Sequence, residues 1–248
     1  MNEHVVLITG ALTGIGRATA LAFADQGDRI MIAGRHQDAG EALVSELRAK
    51  NAEAEFLSAD VRHEEDVLTL VDRTVARFGR LDVAVNAAGT EGKPGPLTEQ
   101  TPESYAATFD TNVLGTLLSM KHELRVMKAQ GKGSIVNISS TYGHQGAARA
   151  PIYAASKHAV EGLTRSAALE AAGAGVRVNA VAPGPIQTGF LDRFTGTEEN
   201  KAALASGVPL GRIGTPDEIA RMIVFLGSDA ASFLTGQIVT VDGGKTAG

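Results

Sequence analysis

Val5-Val-Leu-Ile-Thr9-Gly10-Ala-Leu-Thr13-Gly14-Ile15-Gly16 is the stretch that decides the fold of this 248-residue chain. Its first five residues form an apolar run of strand length, and residues 17–24 continue it as a helical pattern. Glycines between a strand and a helix permit a tight turn and let a pyrophosphate reach the positive end of the helix. The spacing is G-x-x-x-G-x-G rather than the more familiar G-x-G-x-x-G. The location after a strand nevertheless predicts a dinucleotide site at Gly10, Thr13, Gly14, Ile15 and Gly16.

Apolar runs of strand length alternate with helical patterns along the rest of the chain. The predicted strands cover residues 5–9, 30–33, 54–58, 83–86, 134–138, 176–182 and 238–241. The predicted helices cover residues 15–26, 38–50, 64–78, 103–129, 152–172 and 217–227. Most strands are almost continuously apolar, as expected of parallel strands buried on both faces. This alternation predicts an α/β fold: a doubly wound, seven-stranded parallel sheet flanked by helices, in a single domain over residues 1–248.

Composition excludes several classes of function. The chain has no cysteine, which rules out disulfides, thiolate metal sites and a cysteine nucleophile. The formal net charge is −5 and no block of lysine or arginine occurs, so the sequence gives no support for a nucleic-acid partner. A basic leader with an apolar core is missing, as is any uncharged run long enough for a bilayer. We therefore expect a cytoplasmic protein that acts on a small molecule, with no membrane partner.

The end of the second predicted strand bears on the choice of cofactor. Sites that prefer NAD usually carry an acidic residue here, which holds the ribose 2′-hydroxyl. This chain has Gly34 instead, followed by Arg35 and His36. The glycine removes a carboxylate that would repel a phosphate, and the arginine can pair with one, so we expect NADP(H) in preference to NAD. The alternative is an arginine that merely ends a strand in solvent.

Three further strand ends fall on the same edge of the predicted sheet, where ligands of open α/β sheets bind. Asp60-Val61 follows the third strand and could hold an adenine, and Asn86-Ala87-Ala88-Gly89 ends the fourth. After the sixth strand, Pro183 and Gly184 force the chain away from the sheet. They expose backbone groups that could bind a carboxamide.

Tyr153-Ala-Ala-Ser-Lys157 is the strongest candidate for catalytic residues. In this alanine-rich helical pattern positions 153 and 157 share a face, and neither of the other tyrosines has a lysine at that spacing. An ammonium on the next turn favours the phenolate, so we expect the pKa of Tyr153 to fall from its ordinary value of about 10. Ser140, at the end of the fifth strand, would lie at the same edge. The alternative interpretation of this spacing, taken without the rest of the chain, is a surface helix that carries one aromatic residue and one solvated lysine.

Two other features leave alternatives open. Asn112 lies inside a predicted helix, where its amide either bonds a neighbouring carbonyl in the core or holds a water in a proton relay. Residues 189–206 mix apolar and polar side chains without a long period, and so predict a loop that acts as a substrate lid. Phe190, Leu191 and Phe194 either cover the substrate or simply pack.

The chain resembles the short-chain dehydrogenase/reductase family over essentially its whole length. The motifs that carry the resemblance are Gly10/Gly14/Gly16, Asn86–Gly89, Asn112, Ser140, Tyr153, Lys157 and Pro183-Gly184. The resemblance implies one Rossmann-fold domain, usually in a homotetramer, that moves a hydride between a nicotinamide and a carbonyl or secondary alcohol. The Gly34-Arg35 pair also looks like that of the NADP-dependent secondary alcohol dehydrogenases in this family.

The resemblance also implies a role for each matching residue. Tyr153 would be the acid or base, and Lys157 would lower its pKa and bind the nicotinamide ribose. Ser140 would orient the substrate oxygen, and Asn112 would hold the relay water. The nicotinamide carboxamide would be fixed by Ile186 and Thr188.

The chain departs from the family pattern at two places. The usual Asn-Asn-Ala-Gly is Asn86-Ala87-Ala88-Gly89 here, from which we expect a small structural effect and no loss of activity. Thr13 stands where one NADP-preferring branch carries a basic residue, so Arg35 and His36 would have to select the cofactor alone.

The substrate is left open by the sequence. We expect its pocket to include Ser140, Tyr142, His144 and Phe190, and the alternative reactions are 3-oxoacyl thioester reduction and sugar or polyol oxidation.

Other chemistries lack their motifs in this sequence. A serine hydrolase would need a G-x-S-x-G elbow, which does not occur, and the histidines are scattered, so we expect no metal site. Gly244-Lys245-Thr246 imitates the end of a P-loop but lacks its first glycine and its helix. A non-catalytic dinucleotide sensor is the alternative from another class, although it would be expected to lose the tyrosine, lysine or serine.

Overall fold

Seven parallel strands form one sheet in the computed structural model, which describes residues 4–248. The strands are β1 (Val5–Thr9), β2 (Arg29–Gly34), β3 (Ala54–Ser58), β4 (Val83–Asn86), β5 (Gly133–Ile138), β6 (Val176–Pro183) and β7 (Ile238–Val241). Their order across the sheet is β3-β2-β1-β4-β5-β6-β7, and every neighbouring pair is parallel. The predicted doubly wound α/β fold is therefore confirmed.

Nine helices connect the strands of this sheet within the described residues. They are α1 (Gly14–Ala24), α2 (Gln37–Ala49), α3 (Glu64–Phe78), α4 (Pro102–Phe109), α5 (Gly115–Gln130), α6 (Pro151–Ala171), α7 (Gly189–Thr195), α8 (Glu198–Ser206) and α9 (Pro216–Gly227). Among residues 4–248, no helix is both long and apolar enough to cross a membrane.

Alternation along each strand divides the core into two layers. On β1, Val6 and Ile8 pack on the face covered by α1, α2 and α9, whereas Val5 and Leu7 pack on the face covered by α3, α5 and α6. Because both faces of central strands such as β1 and β4 are buried, these strands are continuous apolar runs rather than alternating ones.

The helix predicted over residues 103–129 is interrupted. A π-helical turn over Asp110–Leu114 separates α4 from α5 and contains the fully buried Asn112. α4 begins with a capping box, in which the Thr101 and Ser104 side chains each accept from the other's backbone N–H. A π-helical turn within a helix often marks a functional site, and this one lies beside the edge of the sheet described below.

The prediction of a loop over residues 189–206 is wrong, because this stretch forms the helices α7 and α8. Thr188 caps α7 by accepting a hydrogen bond from the Leu191 N–H, and Thr197 caps α8 by accepting from the Asn200 N–H. Gly196 ends α7 with a φ of +72°. Helices of seven and nine residues span too few turns to show a clear apolar period in the sequence.

Candidate active site

A cavity of about 770 Å³ lies at the carboxyl edge of the sheet, where the order of strands reverses between β1 and β4. It is lined by most of the residues that the sequence predicted for the site. These are Gly10, Thr13, Gly14, Ile15, Gly16, Arg35, His36, Asp60, Val61, Ala88, Gly89, Ser140, Tyr142, Tyr153, Lys157, Pro183, Gly184, Ile186, Thr188 and Phe190.

The turn between β1 and α1 can hold a phosphate. Gly10 has a φ of +66°, and a Cβ built on it would lie 2.5 Å from the backbone nitrogen of Ala88, so only glycine fits here. A Cβ on Gly16 would collide with the Gly10 carbonyl oxygen. Thr13, which precedes α1, gives no side-chain cap, so the first amides of the helix are left for a ligand anion.

The end of β2 carries one exposed cation and no acid. A Cβ on Gly34 would lie 2.6 Å from the Leu12 side chain, so Leu12 fills the space that an acidic side chain at position 34 would need. Arg35 is exposed and lines the cavity. Asp60, which also lines the cavity, forms a salt bridge with Arg62, in which Oδ2 and Nη2 are 2.6 Å apart. Its hydrogen bond to Arg62 lowers the pKa of the Asp60 carboxyl to about 2, with a smaller contribution from the charge of Arg35.

Tyr153 and Lys157 lie one turn apart on α6, and both are buried. The Nζ of Lys157 donates a hydrogen bond of 2.8 Å to the Ile138 carbonyl oxygen and lies 5.7 Å from the centre of the Tyr153 ring. Burial raises the pKa of Tyr153 above its ordinary value, with the Ser140 hydroxyl acting in the opposite direction, and burial lowers the pKa of Lys157 to about 8. The expected fall in the phenol pKa is therefore not found, because burial outweighs the hydrogen bond with Ser140, which is the one cause that lowers this pKa.

Ser140 follows the end of β5, and its Oγ accepts a hydrogen bond of 3.2 Å from the Tyr142 N–H. The preceding Ser139 hydroxyl donates instead to Glu161 Oε1, at 3.0 Å. His144 Nδ1 lies 3.0 Å from the same oxygen. His144 is consequently held beside Glu161 and does not line the cavity, contrary to the prediction for the substrate pocket. Glu161 was missed by the sequence reasoning, although it lies one helical turn beyond Lys157.

Asn112 is fully buried and does not line the cavity. Its Oδ1 accepts from the Thr90 N–H at 2.8 Å, and its Nδ2 donates to the Thr90 carbonyl at 2.9 Å and to Ser156 Oγ at 3.0 Å. Of the two alternatives for its amide, these contacts favour the core hydrogen bonds. These hydrogen bonds join Thr90, in the segment that follows β4, to Ser156 on α6.

Asn86 is also placed outside the cavity. Its Nδ2 donates to Glu123 Oε2 and to Asn137 Oδ1, both at 3.0 Å, in the interior beneath the sheet edge. It was predicted to bind the cofactor, but its side chain instead joins β4 to α5 and β5. The neighbouring residues 87–89 do line the cavity.

Aromatic rings form the wall around the Tyr153 phenol. The Phe190 ring centre lies 5.6 Å from that of Tyr153, and the Phe194 and Tyr142 ring centres lie 6.3 Å and 6.4 Å from it. Arg193 on α7 and Glu91, which both line the cavity, form a salt bridge across its opening, here called the mouth. Nη2 of Arg193 and Oε2 of Glu91 are 3.3 Å apart.

Several lining residues were not predicted for the site, and no sequence motif identifies them. They include Thr90, Glu91, Thr111 and Lys245, whereas Leu191 and Phe194, which were expected either to cover the substrate or to pack, also line the cavity. Among residues 4–248, no three His, Cys, Asp or Glu side chains group in the way that metal ligands would.

Relatives with known names resemble the chain over almost its full length. A family profile described as Enoyl-(Acyl carrier protein) reductase matches residues 10–246. A cis-4-hydroxycyclohexanecarboxylate dehydrogenase of Sinomonas cyclohexanicum is 41% identical over 245 residues, covering 99% of this chain and 97% of the relative. A cyclohexanol dehydrogenase of Acinetobacter sp. (strain SE19) is 38% identical over 245 residues, covering 99% and 96%.

Solved structures of related proteins are also similar to this chain over almost its full length. Levodione reductase has a TM-score of 0.96 at 35% identity, over 98% of each chain. ElxO with NADP bound has a TM-score of 0.93 at 36% identity, over 100% of each chain. NAD+-bound xylitol dehydrogenase has a TM-score of 0.95 at 34% identity, over 98% of this chain and 99% of that one. Structural neighbours thus bind either nicotinamide cofactor. The parallel sheet, the glycine-rich turn and the matches along the whole chain establish that this protein belongs to the short-chain dehydrogenase/reductase family of oxidoreductases.

Proposed function

We propose that this enzyme uses NADP(H) to reduce ring ketones and to oxidise the corresponding secondary alcohols. One observation carries the proposal. Ser140, Tyr153 and Lys157 line one end of a cavity whose other end is the glycine turn at Gly10–Gly16. Proton-transfer groups and a dinucleotide cradle therefore share a single space, as hydride chemistry on a carbonyl requires.

Tyr153 is the acid in the reductive direction. Because burial raises its pKa, the phenol keeps its proton at neutral pH and can give it to a carbonyl oxygen. Ser140 offers a second donor to that oxygen, which stabilises the developing negative charge. When bound, the nicotinamide cofactor supplies the hydride that the carbonyl carbon gains in reduction and takes up the one that the alcohol loses in oxidation. Proton transfer by a positioned side chain typically contributes about 10²–10⁴-fold to the rate.

The preference for NADP(H) rests on Arg35. Its guanidinium lines the cavity at the end of β2, and Leu12 occupies the space in which an acid at position 34 would begin. Asp60 is neutralised by Arg62, so it opposes a ribose phosphate less than a free carboxylate would. Arginine is well suited to bind a phosphate through two parallel hydrogen bonds.

The substrate class is inferred from the aromatic wall. Tyr142, Phe190 and Phe194 surround the Tyr153 phenol with apolar surface, which suits a compact apolar ring better than a polyol. Of the relatives described above, one is named a cis-4-hydroxycyclohexanecarboxylate dehydrogenase and another a cyclohexanol dehydrogenase. A ring alcohol or ketone is therefore the substrate that we propose for this chain.

We also propose a homotetramer. Large apolar side chains are exposed in two separate regions, with Tyr105 and Leu117 on α4 and α5, and Phe225 and Phe233 near α9 and β7. A tetramer with two kinds of two-fold interface would cover both regions. A solution mass equal to one chain would refute this assembly.

The test is a screen that follows depletion of NADPH and NADH with ring ketones, open-chain ketones, 3-oxoacyl thioesters and sugars. We expect ring ketones and NADPH to give the highest kcat/KM. Tyr153→Phe should abolish turnover and leave NADPH binding largely intact. Near-normal turnover in that variant would remove Tyr153 from its role, and NADPH binding without turnover of any substrate would favour a dinucleotide sensor.

A further inference from the structure

The chain that follows β7 turns back and carries Lys245 into the cavity. The Asp242 carboxylate accepts hydrogen bonds from the Gly244 N–H at 2.9 Å, from the Thr246 N–H at 2.8 Å and from the Thr246 hydroxyl at 2.7 Å. A further bond, from the Leu210 N–H to the Gly243 carbonyl at 3.1 Å, anchors this turn to the segment after α8. Lys245 therefore projects from a fixed turn and not from a loose tail.

The ammonium of Lys245 lies at the substrate end of the cavity. Its Nζ is 4.9 Å from the centre of the Tyr142 ring, and Lys245 lines the cavity. The Tyr142 ring in turn meets the Tyr153 ring edge-on, with centres 6.4 Å apart. Lys245 and the catalytic phenol thus contact the same aromatic side chain.

Within the described residues, the charges around this end of the cavity leave Lys245 without a direct salt bridge. Glu91 and Arg193 neutralise each other across the mouth. In the described part of the chain Lys245 forms no salt bridge. Its charge helps to lower the pKa of the Asp242 carboxyl, but both oxygens of that carboxylate already accept hydrogen bonds within the turn. The contact with the Tyr142 ring is a weak cation–π interaction, because the site is partly exposed. An anion would bind this ammonium more strongly.

We propose that Lys245 determines specificity by binding a carboxylate on the substrate. The occupant would be a cyclic oxo acid or hydroxy acid, with its carbonyl or hydroxyl oxygen at Ser140 and Tyr153 and its ring against Tyr142. One ammonium matches the single charge of a carboxylate, whereas phosphate sites usually gather several donors. This inference rests on the proposed function, since it needs the reacting oxygen at Tyr153.

The experiment compares three ketones with NADPH as cofactor: 4-oxocyclohexanecarboxylate, its uncharged carboxamide and cyclohexanone. We expect Lys245→Gln to raise the KM of the carboxylate about tenfold, which corresponds to about 1.4 kcal/mol, with kcat little changed. The KM values of the carboxamide and cyclohexanone should stay within about twofold. Lys245→Arg should restore most of the preference, because it keeps the charge. Lys128→Gln, an exposed change of the same kind at the end of α5, should change none of these values.

Two outcomes would overturn the assignment of Lys245 alone. One is an equal rise in KM for the charged and uncharged ketones in Lys245→Gln, which would mean that Lys245 only supports the wall. The other is a wild-type enzyme that reduces cyclohexanone but does not favour the carboxylate, which would leave the proposed function standing. A wild-type enzyme that reduces none of the three would overturn the ring substrate as well.

Discussion

The Lys157 ammonium donates a hydrogen bond of 2.8 Å to the carbonyl oxygen of Ile138 and so joins α6 to the end of β5. That helix also carries Tyr153, the acid that we propose, and the residues after Ile138 include Ser140. One hydrogen bond therefore helps to fix the separation of the two groups that would hold the substrate oxygen. The same carbonyl supplies a hydrogen-bond partner that the buried ammonium needs.

Replacing Lys157 should affect both chemistry and cofactor binding. We expect Lys157→Ala to lower kcat by at least about a hundredfold, because it removes the ammonium beside the phenol together with the tie to β5. NADPH affinity, measured by fluorescence titration, should fall about tenfold. Lys121→Ala removes an exposed lysine on α5 and serves as the control. Unchanged NADPH affinity in Lys157→Ala would limit Lys157 to the chemical step.

Arg35 should govern the choice between the two cofactors. We expect Arg35→Gln to lower kcat/KM for NADPH by about 10–100-fold, because a hydrogen-bonded charge contributes about 1.5–3 kcal/mol. The value for NADH should change less than threefold. Arg17→Gln is the matched control, since Arg17 pairs with Glu46 and does not line the cavity. Equal losses for the two cofactors would contradict the assignment of Arg35 to the ribose phosphate.

Glu161 should position the turn that carries Ser140. Its Oε1 accepts from Ser139, and its Oε2 accepts from Arg165 at 3.1 Å. A glutamine of the same shape cannot accept at both ends, so we expect Glu161→Gln to lose about 1–3 kcal/mol of stability in urea unfolding. We expect kcat to fall about tenfold while NADPH affinity stays within twofold.

The variant Arg165→Gln serves as the control, because it removes the contact of Glu161 with Arg165 and keeps the contacts of Glu161 with Ser139 and His144. The Arg165 side chain is half exposed, and we expect its loss to cost no more than about 1 kcal/mol. If both variants lost the same stability and activity, the contact with Ser139 would have no special importance.

Local pattern was sufficient to predict the strands and the glycine-rich turn between β1 and α1. Each is a property of a few consecutive residues, such as the glycines at 10, 14 and 16. α7 and α8 were missed because they are too short to show a period. The pair of Glu91 and Arg193 joins positions 102 residues apart, and the cavity-facing position of Lys245 depends on a turn beside a distant segment. The pKa of Tyr153 was predicted in the wrong direction, because its burial depends on Phe190, Phe194 and the rest of the wall.

Glu123 should make the stability of the fold depend on pH. It is fully buried on α5, and among residues 4–248 its Oε1 has no hydrogen-bond partner. Burial raises the pKa of this carboxyl to about 8 from an ordinary value of 4.5. Between those two values the folded chain keeps the proton and the unfolded chain has lost it. The stabilising effect of the bound proton is therefore complete below about pH 4.5 and is lost as the pH rises through about 8.

Glu123→Gln removes this titration while keeping the shape of the side chain and its neighbour Asn86. We expect the melting temperature of the variant to exceed that of the wild type by an amount that grows from pH 5 to pH 8, because the slope for one such group approaches about 1.4 kcal/mol per pH unit. The difference should then level off at higher pH. Glu199→Gln, at an exposed position, controls for the change in net charge. Curves of wild type and Glu123→Gln that run parallel from pH 5 to pH 9 would show that the carboxyl is already ionised in the folded protein.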